Sequence, residues 1–188
     1  SLSTIHGGDR SQDKVLIATP SEGLDRGAIA MSAQVNLGDP AEPEMIQRMA
    51  RITTVSHEKS IPVLGMFYPR GRNLILDDSD STSGVAHAAR LAWELGCNVV
   101  KVPWTGSEES FGIVTTSVPI PVLVSGGPKD DDFGKVLELV EKSINAGGSG
   151  VCMGRNVFSS EDPASRIRAL RSIVHEGANA EEASRHLR

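Results

Sequence analysis

The stretch Asn98-Val99-Val100-Lys101-Val102 places one lysine among β-branched apolar residues, a composition that favours a strand with little access to water. Side chains alternate along a strand, so Lys101 shares a face with Val99 and not with Val100 or Val102. If that face is interior, the ammonium is desolvated, which favours the neutral amine. A neutral amine can attack a ketone and form a Schiff base. The same stretch also suits a lysine that snorkels from the strand end to water. Tyr68 is the only tyrosine in the chain and closes an earlier apolar run, "VLGMFYPRG". On a neighbouring strand, about 4.8 Å away, its hydroxyl could reach a substrate held on Lys101 and shuttle protons; alternatively it is a core aromatic with a hydrogen-bonded hydroxyl.

Two later strand ends suit an anion. "VSGGPK" follows Ser125 with Gly126 and Gly127, where backbone N–H groups can approach a ligand, and "MGRN" pairs Gly154 with the Arg155 guanidinium. Both are also compatible with plain tight turns and a surface arginine. Trp104 and Thr105 follow the lysine and are placed to wall a pocket. Trp93 lies at helical spacing with Ala89 and reads as packing. Glu108 and Glu109 open a helix, where carboxylates suit the positive end of the helix dipole. No metal-ligand spacing of the CxxC or HExxH type occurs. The polar run "DDSDSTS" at 77–83 has Thr82 where a calcium loop would need glycine.

These residues require elements to hold them. Apolar runs at 28–36, 63–68, 98–102, 122–125 and 150–153 read as strands. Each is followed by a segment of helical period, at 42–58, 83–95, 107–115, 131–146 and 163–175. Alternating strands and helices with near-continuous apolar strands predict an α/β fold, a parallel sheet covered on both faces. The pattern alone does not separate a doubly wound sheet from a (β/α)8 TIM barrel; similar strand lengths and chemically rich loops favour the barrel. Such barrels typically need about 250 residues, whereas five units plus a fragment at 1–8 are present in the 188 residues. The chain is therefore expected to run from the end of strand 3 through helix 8, as a single domain over 1–188. The glycine loops then follow strands 7 and 8, where barrels often bind phosphate.

With 39% hydrophobic and 23% charged residues the chain can bury a core, and a net charge of −5 with scattered Lys and Arg gives no nucleic-acid footprint. No apolar run approaches the roughly 20 residues of a membrane span, and 1–10 has no leader pattern. A cytoplasmic protein with Cys97 and Cys152 as reduced, packed thiols is expected.

The series "MFYPRG", "GVAHAARLAWELGCNVVKVPWTGSEESF", "PVLVSGGPK" and "GVCMGRNVFSSEDP" resembles the DhnA-type class I (Schiff-base) aldolase superfamily over nearly the whole chain. Its members include archaeal-type fructose-bisphosphate aldolases and 2-amino-3,7-dideoxy-D-threo-hept-6-ulosonate synthases. The resemblance implies a (β/α)8 barrel, a Schiff-base lysine at Lys101 and a proton-transferring tyrosine at Tyr68. It also implies sugar-phosphate recognition by Gly126, Gly127, Gly154 and Arg155, with a ketose phosphate and a small aldehyde as partners. No cofactor is implied beyond the covalent lysine adduct, and a homo-oligomer, often a decamer, is implied. "SAQVNLGDPAEPEM" and "IVHEGANAEEA" resemble the synthase branch, which serves aromatic-type biosynthesis, more than the aldolase branch. Gln34 replaces a histidine of that branch, and the family's acidic residue on strand 1 has no counterpart, since Asp9 and Asp13 do not match it by position. Two alternatives to a synthase follow: a class I fructose-1,6-bisphosphate aldolase, or a shortened, non-catalytic sugar-phosphate-binding or oligomer-forming pseudoenzyme.

Overall fold

Thr19 and Glu22, in "TPSE", form a capping box around a proline start, and together they fold the short helix α1 (Pro20–Asp25). The computed structural model describes residues 14–74 and 80–187. The fragment expected at 1–8, with Asp9 and Asp13, lies outside these residues, as does 77–79 of the polar run. The remaining elements follow in order: β1 (Met31–Leu37), α2 (Glu42–Glu58), β2 (Val63–Pro69), α3 (Thr82–Glu94), β3 (Val99–Val102), α4 (Glu108–Thr116), β4 (Val122–Ser125), α5 (Phe133–Asn145) and β5 (Gly150–Cys152). The chain closes with α6 (Arg155–Phe158), α7 (Pro163–Glu176), α8 (Ala180–Ser184) and a 3-10 turn at Arg185–Leu187. Every strand and helix expected from the sequence is present, with ends that shift by a few residues. The largest shift is at β1: the amide of Ala28 donates back to Gly23 and closes α1, so the strand starts at Met31. No helix among the described residues is long and apolar enough to cross a membrane.

All strands pair in parallel, in the order β1-β2-β3-β4-β5. A doubly wound sheet reverses its strand order at a switch point; here order in space equals order in sequence, which is how a (β/α)8 barrel is wound. Burial alternates along the strands. Val35, Val63, Phe67, Val100, Val102, Val122 and Val124 are buried against the outer helices with Met45, Met49, Val85, Ala89, Phe111 and Val114. The opposite row, including Gln34, Leu64, Met66, Tyr68, Val99, Lys101 and Leu123, is half-buried. Helices cover one face, and the other, half-buried among the described residues, is the wall of a barrel interior. A second cluster joins Phe133, Val136, Leu137 and Val140 of α5 to Ala169, Leu170 and Ile173 of α7 and Ala183 of α8. It fixes the last strand-helix unit, which carries the Gly154–Asn156 segment.

Candidate active site

The register puts the expected chemistry in layers. Gln34, Met66, Lys101, Leu123 and Gly150 are successive partners in one row across the five strands. Two residues further along, toward the carboxyl ends of the strands, Asn36 pairs with Tyr68 and Ser125 with Cys152. Lys101 therefore lies one layer below Tyr68 on the same face, at the end where barrels keep their active sites. Lys101 is half-buried, so the desolvation expected of it is partial.

A cavity of about 260 Å³ gathers Lys101, Tyr68, Ser125, Gly126, Gly127, Gly154 and Arg155, together with Gln34, Arg70, Cys152, Met153 and Asn156. Seven of the nine residues singled out from the sequence line it; Thr105, whose hydroxyl pairs with Ser110 Oγ at 2.8 Å, and Trp104 do not. Trp104 is placed elsewhere: its ring packs on Phe111 with centroids 5.0 Å apart, in the core beside β3, and it is not among the residues of the cavity wall. The indole is half-buried, packed against the core cluster. A larger groove of about 550 Å³ runs between β5 and α7 past Leu123, Val151, Ile167, Leu170 and Val174. It has no comparable convergence of amine, phenol and guanidinium groups.

The small cavity is cationic. Lys101, Arg70 and Arg155 line it, and among the described residues no carboxylate does. Burial draws the Arg70 guanidinium below its ordinary pKa; the Tyr68 phenol opposes that shift and the Arg155 charge adds to it. Arg70 lies over the Tyr68 ring, 4.3 Å from its centroid, and its Nε donates to Asn36 Oδ1 at 3.1 Å. Gln34 Nε2 donates to the same oxygen at 2.9 Å. A guanidinium on an aromatic face is an attractive arrangement, here anchored by a fully buried asparagine.

The glycine loops sit as their sequence suggests. A Cβ on Gly126 would lie 2.4 Å from Met153 Cβ, so only glycine lets β4 and β5 approach this closely at their ends, and Gly127 turns the chain at φ 62°. Arg155 Nη2 donates to Gly127 O at 3.0 Å, tying the two loops together. Among the described residues, the amides of Gly127, Gly154 and Arg155 have no protein acceptor. Amides of this kind can receive an anion. No three His, Cys, Asp or Glu side chains converge as a metal site among the described residues. Sequence reading passed over Arg70 and Asn156, although both stand inside quoted motifs; the signal available was their adjacency to Tyr68 and Arg155.

Known proteins resemble the chain over most of its length. Residues 3–160 match the model of the DeoC/LacD family aldolases. A 2-amino-4,5-dihydroxy-6-oxo-7-(phosphonooxy)heptanoate synthase from Streptomyces griseus is 38% identical over 175 residues, 93% of this chain and 63% of that protein. 2-amino-3,7-dideoxy-D-threo-hept-6-ulosonate synthase 1 from Archaeoglobus fulgidus is 38% identical over 170 residues, 90% of this chain and 62% of that protein. Among solved structures, an archaeal fructose 1,6-bisphosphate aldolase superposes with a TM-score of 0.80 at 32% identity, over 87% of this chain and 64% of that one. Another, with its catalytic lysine covalently bound to the carbinolamine intermediate of the substrate, superposes with a TM-score of 0.77 at 32% identity, over 83% of this chain and 62% of that one. The chain spans less than two thirds of the length of these relatives. With an aldolase-family match across 3–160 and an arc of five sequentially ordered parallel strands that superposes on aldolase barrels, the chain belongs to the DeoC/LacD family of aldolases.

Proposed function

We propose that this segment carries the Schiff-base half of an aldolase or transaldolase site acting on a ketose phosphate, of the 2-amino-3,7-dideoxy-D-threo-hept-6-ulosonate synthase kind. The observation that carries this reading is one cavity holding Lys101, Tyr68 and a cationic glycine-rich cradle. In this reading the Lys101 amine adds to the ketone carbon, and the carbinolamine loses water to give an iminium. Breaking the bond between the carbons α and β to the iminium sends its electron pair into the iminium, leaving an enamine and releasing the β carbon as an aldehyde as its hydroxyl proton departs. The enamine then adds to an acceptor aldehyde, and water releases the product from the lysine. Tyr68, one layer above, is placed to carry the proton, while Ser125, Gly126, Gly127, Gly154 and Arg155 receive the phosphate. The iminium is the electron sink, so this chemistry calls for neither metal nor cofactor. The names of the synthase relatives support an aldehyde acceptor bearing an amino acid, and the aldolase neighbours keep fructose 1,6-bisphosphate as a second reading, favoured by a second guanidinium, Arg70, in the same cavity.

We also take residues 1–188 to form one domain, the C-terminal two-thirds of an aldolase-type barrel, working in a homo-oligomer of the decameric type. Its two free thiols suit the cytoplasm.

Borohydride reduction of the full chain with a ketose phosphate tests the mechanism. A stable adduct on Lys101 is expected, lost with turnover in Lys101→Met and retained without turnover in Tyr68→Phe. An adduct on Lys129, or turnover that survives Lys101→Met, overturns it.

A further inference from the structure

Asn156 is 2% exposed, and its side chain is fully engaged. Its Nδ2 donates to Gly126 O at 2.6 Å and to Pro128 O at 3.0 Å, while its Oδ1 accepts from the Asp130 amide at 2.8 Å. Its backbone oxygen accepts from Arg166 Nη1 at 2.6 Å, and that guanidinium lies 4.4 Å from the centroid of the Phe133 ring. One asparagine thus connects three points of the β4–α5 loop to the segment after β5, and through Arg166 to α7 and α5. We propose that Asn156 is the positioning residue that holds the 126–130 loop in its anion-receiving shape, acting on the ligand through that loop. This deepens the phosphate assignment made above and rests on it.

The geometry explains how. No peptide bond in the described chain is cis, and in a trans peptide the C=O and N–H point in opposite directions. Anchoring the carbonyls of Gly126 and Pro128 on Nδ2 therefore turns the N–H groups of Gly127 and Lys129 away from Asn156. Of these, Gly127 lines the cavity and its amide has no acceptor among the described residues. Without the amide anchor, Gly126 and Gly127 have few restraints on their peptide planes, because glycine populates both signs of φ readily. A carbonyl swung to the ligand side would repel a phosphate where an N–H should donate. Burial sharpens the requirement, since a buried polar partner left unpaired is itself costly.

The test uses the full chain and inorganic phosphate as the probe, competing with a phosphorylated ketose. In the parent protein phosphate should compete, and Asn156→Ala should raise both its inhibition constant and the KM of the phosphorylated ketose by about ten- to a hundredfold, with kcat held within about threefold. Borohydride trapping of Lys101 by unphosphorylated dihydroxyacetone should be unchanged. Asn156→Asp conserves volume and the acceptor for Asp130 but cannot donate when ionised. Its KM relative to the parent should therefore fall as pH is lowered and the carboxyl regains a proton, and this variant carries the test if Asn156→Ala does not fold. Equal losses for phosphorylated and unphosphorylated substrates, a fall in kcat at unchanged KM, or a pH-independent KM ratio in Asn156→Asp overturns the role of Asn156. Absence of phosphate competition in the parent protein overturns the phosphate reading itself, and this inference with it.

Discussion

Replacing Arg155 with alanine isolates the cationic contribution to the cradle. The Arg155 guanidinium carries five donors and spends one on Gly127 O at 3.0 Å, which leaves its remaining edge for a phosphate oxygen. A hydrogen bond to a charged group is worth about 1.5–3 kcal/mol. Arg155 is exposed, so water competes for the same oxygens and the lower part of that range applies, about 1.5–2 kcal/mol. Two features of the cavity confine the loss further. Arg70 remains as a second guanidinium, and its own protonated form is opposed by the Arg155 charge, so deleting Arg155 relieves a repulsion. The expected outcome for Arg155→Ala is a rise of about 12- to 30-fold in KM for a phosphorylated ketose, at 1.4 kcal/mol per factor of ten. An unphosphorylated ketose should change by less than about twofold. Steady-state kinetics on both substrates at two salt concentrations reads this out, because the loss should shrink as salt screens the parent's attraction. Equal losses on both substrates would refute the reasoning, since they would show that Arg155 serves the loop alone.

Two further outcomes follow from the titrating groups. Burial pushes the Cys97 thiol up to about 12, against Met49 Sδ at 3.8 Å, whereas Cys152 is half-buried and lines the cavity. Iodoacetamide near pH 8 should therefore label Cys152 and spare Cys97, with labelling slowed by a phosphorylated ketose; peptide mapping that finds Cys97 modified as fast as Cys152 sinks this expectation. Asp162 caps α7 by accepting from the Ser165 amide at 3.0 Å, and that bond holds its carboxyl below the usual aspartate range. A depressed folded-state pKa gives stability that is present above the unfolded value and lost as pH falls through the folded one. The melting temperature should thus decline below about pH 4 less steeply in Asp162→Asn than in the parent; identical slopes would show that the cap is not titrating.

The strand-helix order was legible because apolar runs and glycine punctuation report it directly, and the parallel sheet followed from that order. What the pattern lacked was the winding. Sequential pairing from Met31 to Cys152 is a property of non-local contacts, and the same five runs would suit a sheet with a switch point. Lys101 and Tyr68 were legible for a local reason: each is an ionisable or hydroxyl-bearing side chain in a strand otherwise built from apolar residues. Trp104 was misplaced because an aromatic after a strand end can face either side, and here its ring packs on Phe111 of α4. The positioning contacts of Asn156 were not legible, for the opposite reason. Its partners, Gly126, Pro128 and Asp130, are 26 to 30 residues away and are backbone atoms, so no side-chain pattern announces them.

The segment Tyr68-Pro69-Arg70-Gly71 shows why a motif that looks chemical is also structural. Tyr68 faces the cavity and Pro69 ends the β1–β2 ladder opposite Leu37, where a missing N–H is tolerated. Arg70 then turns back over the Tyr68 ring and reaches Asn36 on β1. Gly71 donates to Leu37 O at 2.8 Å, and a Cβ there would fall 1.8 Å from the backbone carbon of Gly38. That contact is between two backbones, neither of which has a flexible side chain to move aside. The close approach of the loops after β1 and β2 is therefore what brings Arg70 within reach of Asn36, and with it the charge over the phenol. A larger residue at position 71 would separate the loops and withdraw the Arg70 guanidinium from over Tyr68 in the cavity wall. The glycine and the tyrosine of this motif are thus parts of one device, in which backbone packing on the outside of the barrel mouth sets the electrostatics within it.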